Sequence, residues 1–218
     1  MTTLQKTTQA LAWLVLAGAA QAATVQVTVL ARDGQPLADA VVVLESAVVQ
    51  APRAPAPVQA TIAQQKMQFL PAVSVLPVGS RARFTNQDGW EHHVRGRPAG
   101  LAGLNATAQQ GFELRLPGKL DGQEPSSADV TLNQAGPLQL GCHLHGSMRG
   151  FVYVADTPWA VKTGPDGVAM LPDVPEGAAR VRVWHPEQLL EMPATAITVV
   201  PVTLLTAPTQ VVPRRRRL

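Results

Sequence analysis

One short segment carries most of the chemistry in this chain. Gly141-Cys142-His143-Leu144-His145-Gly146-Ser147-Met148-Arg149-Gly150 sets a thiol, imidazoles and a thioether in C-x-x-H-x-x-M spacing. A second imidazole pair, His92-His93, follows Asn86-Gln87-Asp88-Gly89-Trp90-Glu91, so four of the five histidines fall beside these two segments. Two imidazoles and one thiolate in a near-trigonal plane, with a long axial thioether, suit copper moving between Cu(I) and Cu(II). Other chemistries fit less well. A Cys-His hydrolase would need an orienting carboxylate, and the glycine-rich loop around Cys142 offers none. Haem attachment and zinc ribbons need cysteine pairs, whereas Cys142 is the only cysteine of the chain. The plainest alternative makes Cys142 a small buried hydrophobe and Met148 core filler.

Geometry restricts how this segment can act. On a helix, the six-residue step from Cys142 to Met148 would separate them by about 9 Å along the axis. A straight strand, at about 3.3 Å per residue, separates them further, so the segment must curl into a loop. Gly141, Gly146 and Gly150 make that curl cheap. In the upstream segment, strand alternation distinguishes the two adjacent histidines. His92 shares a face with Val94, which prefers the interior, while His93 shares one with Glu91 and Arg95, which prefer solvent. The inward histidine is therefore expected to be His92.

The elements that would hold these segments read as strands. With 218 residues, 19 prolines and 17 glycines, the chain favours short strands and turns over long helices. Period-2 and β-branched runs occur at 25–30, 40–44, 72–76, 81–85, 112–116, 130–132, 138–140, 151–154, 179–184 and 196–205. Turn chemistry such as Asp33-Gly34, Val78-Gly79-Ser80, Asp121-Gly122 and Asp166-Gly167 separates them. The expected fold is all-β, a Greek-key β-sandwich with additional strands from the N- and C-terminal segments. Helix is expected to be minor, within 101–109. A Pro/Ala linker over 51–57 marks a module boundary.

Charge and targeting narrow the function classes. The net charge is +3, and removing the run Arg214 to Arg217 leaves −1. Aromatic content is 4%, with no basic patch interleaved with aromatics in the body of the chain, so nucleic acid is not an expected partner. Lys6, an apolar stretch over 10–20 and the small-x-small site Ala20-Gln21-Ala22 read as a signal peptide, with the mature protein starting near Ala23. Neither 10–20 nor 196–205, which contains Pro201, is long enough for a bilayer span of about 20 residues. Export to a periplasm without stable membrane insertion is therefore expected. The tail Arg214 to Arg217 reads as a solvated terminus.

The motifs resemble those of cupredoxins, blue copper proteins of the plastocyanin and amicyanin type. In that family a first histidine follows an Asn-containing turn, and the remaining ligands sit in a Cys-x-x-His loop ending in Met. The resemblance covers 58–155 and implies His92, Cys142, His145 and Met148 as ligands of one type 1 copper ion. His93 departs from the Asn that commonly follows the first ligand. Gly34-Gln35-Pro36-Leu37, Thr163-Gly164-Pro165-Asp166-Gly167 and Val183-Trp184-His185-Pro186 resemble a carboxypeptidase regulatory-like β-sandwich, split into 23–50 and 156–206, with 207–218 as a basic tail. His185 reads as a packed or capping residue there. The resemblance implies single-electron transfer between redox protein partners, with His145 as the electron port and no enzymatic step. A copper chaperone or storage protein, helped by His93 and His143, is the alternative; a non-redox binding module is another.

Overall fold

Alternation of apolar and polar side chains builds sixteen strands among the described residues of the computed structural model, which are 22–48, 55–107, 110–188 and 190–212. The expected signal sequence up to residue 21, linker residues 51–54 and Arg214 to Arg217 lie outside them. In the middle of the chain, β3 (Gln59–Gln65), β4 (Gln68–Leu70), β6 (Arg81–Asn86) and β9 (Ser126–Thr131) form one sheet in the order β4-β3-β6-β9. Facing it, β5 (Val73–Pro77), β7 (His92–Pro98), β8 (Phe112–Leu116), β10 (Gly136–Cys142) and β11 (Arg149–Ala155) form a second, ordered β5-β11-β10-β7-β8. The chain crosses repeatedly between these sheets, giving an all-β Greek-key sandwich.

The inner faces close on Ile62, Phe69, Phe84, Val94, Leu116, Leu140 and Val152, each at most 1% exposed. A fully buried side chain of this kind contributes about 1.5–3 kcal/mol. Two glycines admit aromatic rings into this core. A Cβ on Gly96 would stand 2.1 Å from the Phe112 ring, and one on Gly150 would stand 2.8 Å from Phe69 Cβ.

The flanking segments build another pair of sheets. In one, β1 (Ala22–Leu30) pairs with β13 (Val168–Pro175) and, in parallel, with β16 (Val202–Pro208). The other runs β12-β2-β14-β15, from β12 (Ala160–Lys162), β2 (Val41–Ser46), β14 (Gly177–Trp184) and β15 (Thr195–Val199). β2 explains its unbroken Val41-Val42-Val43-Leu44 run, because both of its faces are buried. Val42 and Leu44 enter this second core, whereas Val41 and Val43 pack with Val73, Tyr153 and Ala155 where the two pairs of sheets meet. Trp184 completes the junction, its ring 5.7 Å from Phe151 and 5.8 Å from Tyr153.

Differences from the sequence expectations have local causes. The run 196–205 divides at Pro201 into β15 and β16. β3, β12 and β13 had no clear signal: β3 buries only Ile62 and Gln64, β12 spans three half-buried residues, and β13 contains Pro172. The helical expectation over 101–109 resolves to a 3-10 turn at Gly100–Leu104.

Candidate metal centre

The centre forms where β10 ends beside β7. Cys142 is the last residue of β10 and pairs with Val94, so its side chain points inward with those of Val94 and His92. The chain then turns, with His143 N donating to His93 O and Met148 N donating to His145 O, before β11 begins at Arg149. This is the curl that the Cys142–Met148 spacing demands. It carries His145 back over Cys142.

Three donors converge as a result. Cys142 Sγ lies 3.6 Å from His92 Nδ1 and 3.4 Å from His145 Nδ1. All three donor atoms lie within 4.8 Å of one another. The two imidazoles meet edge to face at a centroid separation of 5.0 Å. The sulfur also accepts a bond from His93 N at 3.4 Å, which orients its lone pairs. His92 is fully buried and Cys142 is 6% exposed, while His145 is only half-buried. Met148 is 2% exposed and belongs to the same core cluster as Cys142. His93 is not part of the group. Its side chain is on the other face of β7, 3.8 Å from Glu113 and beside His143.

Behind His92 stands Asp88, to which the motif spacing alone assigns no role. Asp88 Oδ2 lies 2.9 Å from His92 Nε2, and Asp88 is 6% exposed. The turn joining β3 to β4 aims two backbone donors at this carboxylate, Lys66 N at 2.6 Å and Met67 N at 3.1 Å. Lys66 and Met67 have φ of 51° and 58°, a conformation costing about 1–2 kcal/mol for each such L residue. Accepting both N–H groups offsets that cost. Burial works against the Asp88 charge, but the bonds from His92, Met67 and Lys66 outweigh it and hold its carboxyl below the usual range. Asn86 shapes the same loop: its Oδ1 accepts from Asp88 N, and its Nδ2 reaches the carbonyl oxygens of Trp90, Leu116 and Pro117. The one available sequence signal for Asp88 was its four-residue spacing from His92.

No protein-family model matches this chain, and no curated protein does. Among solved structures it is similar to a reduced amicyanin variant, at 22% identity over 44% of this chain and 80% of that one, with a TM-score of 0.31. A Cu(I) form of another amicyanin variant is 20% identical over 52% of this chain and 98% of that one, at a TM-score of 0.34. A Cu-containing nitrite reductase from Thermus scotoductus SA-01 is 21% identical over 46% of this chain and 23% of that one, at 0.35.

Proposed function

We propose that this protein is a periplasmic type 1 copper protein that carries single electrons between redox protein partners. The convergence of His92 Nδ1, Cys142 Sγ and His145 Nδ1 supports that reading. Cys142 Sγ, 3.6 Å from His92 Nδ1 and 3.4 Å from His145 Nδ1, would share one ion with both imidazoles. One soft thiolate and two imidazoles would select copper over harder cations, and Met148, buried in the same cluster as Cys142, would add a thioether donor. Bound copper would accept and release one electron by passing between Cu(II) and Cu(I).

The chain's own residues supply the rest. Cys142 binds as thiolate, and Asp88 orients His92 from behind. Burial of Cys142, His92 and Met148 excludes water from the site. Half-buried His145 offers the edge through which an electron enters or leaves. No bond of a substrate is broken in this role, so the protein acts as a carrier and not as an enzyme. We further read β1, β2 and β12 to β16 as a regulatory-like module into which the cupredoxin-like sandwich is inserted. No helix among the described residues is long and apolar enough to cross a membrane. A copper chaperone is the second reading, favoured by the outward imidazoles of His93 and His143, whose rings are 5.7 Å apart.

Visible absorption after Cu(II) addition is the deciding experiment. An intense blue band that a reductant bleaches reversibly, and that Cys142→Ser removes without changing far-ultraviolet circular dichroism, supports the carrier. Colourless Cu(I) binding with rapid exchange supports the chaperone instead.

A further inference from the structure

The outer face of the sheet β5-β11-β10-β7-β8 is divided in two. Toward β5, Phe151 and Tyr153 are covered by Trp184 and by β2. Toward the metal centre the face is open, and strand register assembles basic side chains on it. Arg149, Gly141 and Arg95 are direct neighbours across β11, β10 and β7, and Gln139 and Arg97 are neighbours one step further along. Gly141 leaves a gap between them, since a Cβ there would meet only the Met148 carbonyl oxygen, at 3.9 Å. A hollow of about 340 Å³ opens beside it, lined by Arg95, Arg97, Gln139 and Leu104 and reaching Cys142.

The charges on this half-face are unequal. Arg95 lies 3.1 Å from Glu113, close enough to pair, and Arg115 lies 3.0 Å from Glu91. Arg97 and Arg149 are exposed, and neither has a carboxylate partner among the described residues. Four arginines against two glutamates leave two positive charges on a chain whose net charge without Arg214 to Arg217 is −1.

We propose that this open half-face is the docking surface for an acidic protein, which seats carboxylate side chains on Arg97 and Arg149 across the Gly141 hollow. Arg97 and Arg149 are on strands separated by β10 and two residues apart in register, so about 12 Å divides their backbones. One small anion spans that gap poorly. Several carboxylates on a protein surface match it. The position is useful because the hollow ends at Cys142, so a docked partner approaches the backbone of the thiolate ligand itself. The pairing steers association by charge complementarity. The proposal rests on the copper reading for its purpose, but docking can be measured without copper.

The test uses the full chain, with and without copper, over gold carrying a carboxylate-terminated monolayer, read by surface plasmon resonance. The wild type should be retained at about 10 mM ionic strength and released at about 200 mM, where the Debye length is shorter than 10 Å. Arg97→Glu with Arg149→Glu should weaken retention about tenfold or more, and Arg97→Gln with Arg149→Gln by less. Arg180→Glu, at an exposed position of β14, and the combination of Arg214→Ser, Arg215→Ser, Arg216→Ser and Arg217→Ser should leave it unchanged. Equal retention of the Glu double variant and the wild type overturns the proposal, as does loss of retention in the serine variant. Citrate that raises the melting temperature of the wild type alone, while both proteins bind the monolayer equally, identifies a small-anion site and also overturns it. A colourless protein that is still retained through Arg97 and Arg149 fails the copper reading and keeps the docking surface.

Discussion

Asp88 Oδ2 and His92 Nε2 lie 2.9 Å apart, with side chains 6% and 0% exposed, and the opposite nitrogen of the same ring faces Cys142 Sγ. An ionised carboxylate only accepts hydrogen bonds, so His92 Nε2–H donates to Asp88 and the Nδ1 lone pair is left aimed at the sulfur. The tautomer that can bind a metal is thereby set before any ion arrives.

Asp88→Asn should remove the negative charge that favours the more positive copper state, and it also replaces one of the two accepting oxygens by a donor, so either Lys66 N or the Met67 N and His92 Nε2 pair loses its acceptor. Loss of a partner behind a ligating histidine typically costs about 10–100-fold in metal affinity. Each tenfold loss in Cu(II) affinity that Cu(I) does not share raises the reduction potential by about 59 mV. Voltammetry should therefore show a rise. An unchanged potential would mean that Asp88 serves only the β3–β4 turn.

Replacing each of the adjacent histidines separates the inner face of β7 from the outer. His92→Ala removes a buried donor 3.6 Å from Cys142 Sγ, so the blue band should vanish or change grossly. His93→Ala removes a side chain that meets Glu113 on the outer face, and the band should persist. His93 N still donates to Cys142 Sγ in that variant, because the bond belongs to the backbone. The reverse spectral pattern would reassign the ligand.

Period-2 alternation made the inward direction of His92 and Val94 legible in the sequence, because the alternate positions Glu91, His93 and Arg95 include charged residues that prefer solvent. The curl from Cys142 to Met148 was legible because a helix or a straight strand would keep the two sulfurs apart. Asp88 was not, since its partners Lys66 and Met67 are distant in sequence and adopt positive φ without glycine or asparagine to signal it. The basic half-face was hidden for a related reason. Arg149 and Arg95 become neighbours only once both strands take register against β10. β7 was hard to read as a strand because Gly96 interrupts it, and that glycine is explained by a ring, Phe112, on another strand.

Met148→Gln should lower the reduction potential, since an oxygen donor in the axial position favours Cu(II) more than a thioether does. Met148 is only 2% exposed, so the amide also enters a nonpolar core. That burial should lower unfolding free energy by about 1–3 kcal/mol. Voltammetry and denaturant unfolding read the two effects separately. A variant that loses stability while its potential holds would leave Met148 as core and not as ligand.

His185, in the module outside the metal centre, gives the protein an acid sensitivity that copper does not cause. Its side chain is 7% exposed, and Nδ1 accepts a bond from Glu187 N at 3.1 Å. Burial pushes the imidazole below its ordinary value, against the opposing effects of the Ala38 backbone, Glu187 and Asp39. The unfolded chain titrates near 6.5, at about the usual histidine value. Between that pH and the lower one of the folded state, the unfolded chain binds the extra proton. Stability therefore falls as pH drops below about 6.5, and this loss levels off once the folded imidazole also protonates. His185→Gln should remove that contribution while leaving an amide oxygen to accept from Glu187 N. Urea unfolding of the two apoproteins at pH 7.5, 6.5, 5.5 and 4.5 checks it. The wild type should lose more stability than the variant across the series, and parallel curves would show that His185 does not carry the dependence.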